Sequence, residues 1–140
     1  MGKGILLFIS ISVLAIAQPA AEDIRKVLDK QVVDWNRGDV DSFMNGYEAS
    51  PQTIFVSKSV TRGHASVLAN YKKRYPTKEN MGTLRFEILE LRMLGGEHAS
   101  VVGKFFLTRS QAGGGNSDGI FNLIFKKTAA GWKIILDHTG

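Results

Sequence analysis

The chain has 140 residues, 44% of them hydrophobic and 22% charged, with a formal net charge of +5 and no cysteine. That length suits one ordinary domain with a core of its own. The missing cysteines exclude disulfides, a lipid-modified cysteine, thiolate metal ligands and thiol catalysis, so packing alone must hold the fold.

The opening stretch, "MGKGILLFISISVLAIAQPA", has a basic start at Lys3, an apolar run from Ile5 to Ile16 interrupted by two serines, and a small-x-small site at Ala15-Ile16-Ala17. This pattern predicts a signal peptide over residues 1–17, since the apolar run is shorter than the ~20 residues that span a bilayer. The mature domain is then 18–140, secreted or periplasmic and with no membrane attachment after cleavage. Losing Lys3 lowers the formal charge from +5 to +4. The densest basic stretch is "YKKRY", Tyr71 to Tyr75, which in an exported protein reads as a solvated helix face rather than a nucleic-acid patch.

From Ala21 to Asn36 the residues Ile24, Val27, Leu28, Val32 and Trp35 recur at three- and four-residue steps, the stripe of an amphipathic helix, with Gln31 inside it. Gly38 supplies a stop. Asp39 can cap a second, short helix in "GDVDSFMNGY", where Phe43 and Tyr47 share a face. "TIFVS", Thr53 to Ser57, reads as a short strand, and Arg62 falls in a turn before Gly63, which opens a third helix from His64 to Tyr75, closed by Pro76.

Beyond this point the apolar period changes to two. Leu84 to Leu94 begins with Leu84, Phe86 and Ile88 on one face and continues with Leu89, Leu91 and Met93, a shift of phase that calls for a bulge near Ile88. Strands follow over Ala99–Arg109 and Gly119–Lys127, joined by the hairpin loop "SQAGGGNSDG", and over Trp132–His138. Helices first and antiparallel strands afterwards predict an α+β domain of three helices, segregated to one face of a curved antiparallel sheet. Phe105 with Phe106, Ile124 with Phe125, and Ile134 with Ile135 put apolar groups on both faces. A sheet wetted on one side should alternate, so a second copy is expected to cover the outer face in a two-fold homodimer.

The segments Gln31–Tyr47, Thr61–Gly63, Met81–Phe86, Val101–Arg109 and "GWKIILDHTG" at the end resemble the nuclear transport factor 2-like superfamily, and within it SnoaL-like and ketosteroid-isomerase-like proteins. The closing segment also resembles the association domain of calcium/calmodulin-dependent protein kinase II. The resemblance covers nearly the whole mature chain. It implies a cone, in which a strongly bent sheet wraps around the first helix and encloses an apolar cavity. Trp35, Phe43, Tyr47, Phe55, Tyr71 and Phe86 are then candidate wall residues. The superfamily carries several enzyme activities and non-catalytic binders on one scaffold, so the resemblance speaks to fold more than to function.

Strict alternation along the last strand puts Trp132, Ile134, Leu136 and His138 on one face and Lys133, Ile135, Asp137 and Thr139 on the other. His138 is therefore expected to point inward at the rim of the core. There it serves either as a general base or ligand anchor or as a structural histidine. Asp137 is expected to point away. Gln31, one turn before Trp35, needs a partner in the cavity or in neighbouring backbone. Ketosteroid isomerase works with a carboxylate base, a tyrosine and a protonated aspartic acid; no acid falls on the inner face by this reading, and Glu87 and Glu90 alternate with Arg85 and Arg92 as a charge ladder. His64, His98 and His138 lack metal-ligand spacing, the glycine loop lacks a following helix, and no cofactor is implied.

The leading expectation is an exported module binding a small, largely apolar molecule or a partner segment, oriented by Gln31, Tyr47 and His138. The alternatives are a ketosteroid-isomerase-like or dehydratase-like proton-transfer enzyme with His138 as base, and a structural homodimer with a filled cone.

Overall fold

The computed structural model describes residues 14–140, with side chains from Gln18 onward. The expected signal peptide, residues 1–17, lies outside these apart from the helical backbone of its last four residues. Among the described residues no helix is long and apolar enough to cross a membrane.

Helix α1 runs Leu14–Asn36 and contains Pro19. Its stripe is buried as the periodicity requires, with Ile24, Leu28, Gln31 and Trp35 all inside. Gly38, at φ +83°, turns the chain out of the helix. The Asp39 carboxylate then accepts from the Ser42 amide at 2.9 Å and caps α2, Val40–Phe43, which continues into a 3-10 turn at Met44–Gly46. Strands β1, Ile54–Val56, and β2, Val60–Arg62, form a small hairpin. Helix α3, His64–Arg74, is followed by a one-turn α4, Lys78–Met81, and by the long strands β3 (Thr83–Met93), β4 (His98–Thr108), β5 (Ser117–Thr128) and β6 (Gly131–Thr139).

The six strands make one sheet in the order β2-β1-β6-β5-β4-β3, with α1 packed against β3 and β6. The domain is α+β with a curled sheet about α1, as expected, and it differs from expectation in three respects. Among the described residues there are four α-helices, because the Thr77 hydroxyl accepts from the Asn80 amide and caps α4, a single turn too short to show periodicity. Arg62 lies in a strand rather than a turn. And β1 pairs parallel to β6, so the sheet is antiparallel everywhere else but mixed at that junction.

Two bulges shape the sheet. In β3, Ile88 pairs with Gly103 and Glu90 with Val102, which leaves Leu89 unpaired and 51% exposed. The phase shift in the sequence foretold this one. In β6, Leu136 pairs with Ile124 and Ile134 with Phe125, which leaves Ile135 unpaired. Its neighbour changes at the same place, from Tyr47, bridged to Ile134, to β1, which pairs from Leu136 onward.

Tight packing at Gly103 holds β3, β4 and β5 in this curvature. A Cβ there would run into the Phe121 ring and sit 2.8 Å from the Glu87 carbonyl oxygen. Gly103→Ala is expected to lower stability by about 1–3 kcal/mol in urea denaturation, since a well-packed core has no room for the methyl.

Candidate functional site

The β6 bulge decides which polar side chain enters the cone. Upstream of Ile135 the inner positions are Trp132 and Ile134; downstream they are Asp137 and Thr139, across from Leu123 and Phe121 of β5. Asp137 is 3% exposed, while His138 is exposed and pairs across the sheet with Asn122 and Val56 on the outer face. The alternation expected from the sequence is thus reversed at its end. The inward group is the carboxyl, and His138 reaches only the rim of the cavity.

Within the cone lies a cavity of about 740 Å³. Gln31 and Trp35 reach it from α1, Phe43 from α2 and Tyr47 from just after the 3-10 turn. Phe55 of β1, Tyr71 of α3 and Phe86 of β3 complete the set predicted from the sequence, and all seven line it. The cone is not filled by these side chains. The aromatics brace one another instead, with Trp35 edge-on to Phe43 at 5.1 Å between centroids and Phe43 edge-on to Tyr71 at 5.4 Å. Trp35 is fixed further by donating its indole N–H to the Met81 carbonyl at 2.9 Å.

Gln31 donates through Nε2 to the Phe43 carbonyl at 3.3 Å and packs on the bare backbone of Gly46. Of the two sequence readings, backbone partnership accounts for its amide nitrogen, and the side chain still lines the cavity.

The polar centre is a short chain of hydroxyls ending on Asp137. Tyr47 Oη donates to Asp137 Oδ2 at 2.6 Å, and Thr139 Oγ1 donates to Oδ1 at 2.5 Å. Tyr71 Oη lies 3.3 Å from Tyr47 Oη. Because the Tyr47 proton is committed to the carboxylate, Tyr71 is the donor in that contact or keeps its proton for a ligand.

A second buried acid, Asp34 at 2% exposure, shows what is unusual here. Lys30 and Arg37 pair with it at 2.7 and 3.0 Å. Asp137 has no such cation among the described residues. Burial pushes its carboxyl up to about 6, opposed by the hydrogen bonds from Thr139 and Tyr47 and by the neighbouring His138. Burial and the Asp137 charge raise both Tyr47 and Tyr71 well above the usual phenol range, so both stay protonated donors at neutral pH.

Arg109, outside the cavity lining, has a structural role. It donates to the Gly115 and Asn80 carbonyls at 2.7 and 3.2 Å and ties the β4–β5 loop to α4. Among the described residues no cluster of three or more His, Cys, Asp or Glu side chains is arranged to hold a metal.

A curled α+β sheet around a long helix, with a cavity between them, defines the cone-fold class. The chain shares 38% identity with a nuclear transport factor 2-like protein of unknown function from Shewanella oneidensis MR-1, over 85% of this chain and 97% of that one, with a TM-score of 0.80. It belongs to the nuclear transport factor 2-like proteins. Two solved structures under 25% identical share the fold: a ketosteroid isomerase-like protein from Erwinia carotovora atroseptica (17% identity, 84% and 92% coverage, TM-score 0.65) and a calcium/calmodulin-dependent protein kinase II association-domain protein from Xanthomonas campestris (20%, 85% and 85%, 0.63). No protein-family model and no curated protein matches the chain.

Proposed function

We propose that this protein binds a small, largely apolar molecule in its cone, and that Asp137, rather than His138, orients it. The observation carrying this reading is the cavity itself: about 740 Å³, walled by aromatics, with one buried and cation-free carboxyl on its lining. Such a volume suits a drug-sized ligand, and a few placed polar groups in an apolar cleft are what ligand sites generally contain. Export by the N-terminal segment belongs to the same proposal and rests on the pattern of Lys3 to Ala17. So does a homodimer through the outer face, where Val102, Phe106, Ile120 and Ile124 occupy outward positions of β4 and β5.

A thermal-shift screen of residues 18–140 against apolar alcohols and ketones tests the binding. A hit is expected to bind at least roughly 10-fold more weakly to Asp137→Asn, the scale of one hydrogen bond to a charged group. Binding to His138→Ala is expected to stay within about 2-fold. A screen in which no compound raises the melting temperature of the wild type, or in which His138→Ala is the damaging variant, contradicts the reading.

One feature favours a second, catalytic reading. A carboxyl pushed up to about 6 beside a protonated tyrosine is suited to moving a proton next to a carbonyl group, with Asp137 as base and Tyr71 as donor to the oxygen. Exchange of the α-protons of a bound ketone for deuterium, followed by proton NMR, is expected to rise with pH about a midpoint near 6 and to vanish in Asp137→Asn. Exchange indifferent to that substitution removes this second reading.

A further inference from the structure

The mouth of the cavity differs chemically from its depths. Lys58 sits at the turn between β1 and β2, held by the Ser57 amide donating to the Ser59 carbonyl at 2.9 Å, and Arg74 ends α3 with its guanidinium 5.6 Å from the Tyr75 ring centre. Both are exposed and both line the cavity. Neither takes part in an ion pair among the described residues. Among the side chains lining this exposed rim the one acid is Asp118. Arg74 is near enough to the interior for its charge to be felt at the Tyr71 hydroxyl. Ser57, Ser59, Thr61 and Asn70 supply hydroxyl and amide groups beside the two cations.

From this polarity we infer that the ligand is an apolar carboxylate, its hydrocarbon body in the cone and its anionic head at the mouth between Lys58 and Arg74. The inference rests on the binding reading above and adds the class and direction of the ligand. Direction follows from charge. An anion pushed inward would meet Asp137, which accepts hydrogen bonds and repels a second carboxylate, whereas at the mouth it meets a planar guanidinium and an ammonium. An exposed head also keeps most of its hydration, so its charge is not buried as the body enters the cone.

Isothermal titration with 2-naphthaleneacetate and with the neutral 2-(2-naphthyl)ethanol, which carry the same bicyclic body, tests it on residues 18–140. At low salt the carboxylate is expected to bind at least 5-fold more tightly than the alcohol. That preference is expected to shrink below 2-fold in Lys58→Ala/Arg74→Ala and at 0.5 M sodium chloride. Lys104→Ala/Lys127→Ala removes the same charge from residues that do not line the cavity and is expected to keep the preference. Equal binding of the two probes, or a preference that survives in Lys58→Ala/Arg74→Ala, overturns the carboxylate inference while leaving the cavity reading standing. Absence of binding by either probe overturns both.

Discussion

Asp137→Asn is expected to flatten the pH dependence of stability by roughly 2–2.5 kcal/mol between pH 4 and pH 8, relative to the wild type. The ordinary value for this carboxyl is 3.8, and in the folded chain it is pushed up to about 6, with burial the largest cause. Below about 3.8 it is protonated in both the folded and the unfolded chain. Between 3.8 and 6 the folded chain holds a proton that the unfolded chain has released, so stability falls as pH rises through this window. Above it the full penalty of a buried carboxylate is present. Other groups titrate in both proteins and cancel in the comparison. Urea denaturation at half-unit steps of pH measures the difference, and parallel curves for the two proteins contradict the expectation.

Tyr47→Phe is expected to act on the same charge from the other side. It removes the 2.6 Å hydrogen bond to Oδ2 and leaves a buried carboxylate oxygen without a protein donor. The cost is about 1–3 kcal/mol. Since that hydrogen bond helps hold the carboxyl down, its loss raises the Asp137 value further. The destabilisation is therefore larger at pH 8, where Asp137 is ionised, than at pH 4, where it is protonated. Tyr71→Phe loses only the longer 3.3 Å contact and is expected to cost well under half as much. Equal losses for the two variants, or a Tyr47→Phe loss that is the same at both pH values, contradict the assignment of Tyr47 as the carboxylate's donor.

The two bulges show why the fold was easier to read from the sequence than the site. In β3 the inner apolar series Leu84–Phe86–Ile88 changes phase to Leu91–Met93, and a reader of hydrophobicity sees the extra residue directly. In β6 the extra residue is Ile135, between Ile134 and Leu136. Three apolar residues in a row carry no phase, so the slip that exchanges Asp137 and His138 leaves no trace in composition. Its signal lies elsewhere in the chain, in the Tyr47 bridge and the parallel β1 pairing that meet on either side of Ile135. Those are long-range contacts.

The α1 stripe, the Asp39 cap and the six aromatics that line the cavity were legible because each depends on local spacing or on a resemblance covering nearly the whole domain. Helix α4 and strand β2 were not. Each is four residues or fewer, too short for a period, and they form because the Thr77 cap and pairing with β1 stabilise them in place. Among the polar residues, Gln31 was recognisable as an amide in an apolar stripe. Nothing local marked Asp137, which reads as one more acid beside a histidine until the register of β6 is known.

The claim on which the functional reading turns is that Asp137 faces the closed interior of the cone. Carbon-13 NMR of the Asp137 carboxyl, followed from pH 2 to pH 9 in the wild-type protein, reads that environment directly. The buried, tyrosine-bonded carboxyl is expected to titrate with a midpoint near 6. A midpoint at the ordinary 3.8, with no displacement by burial, would contradict that placement.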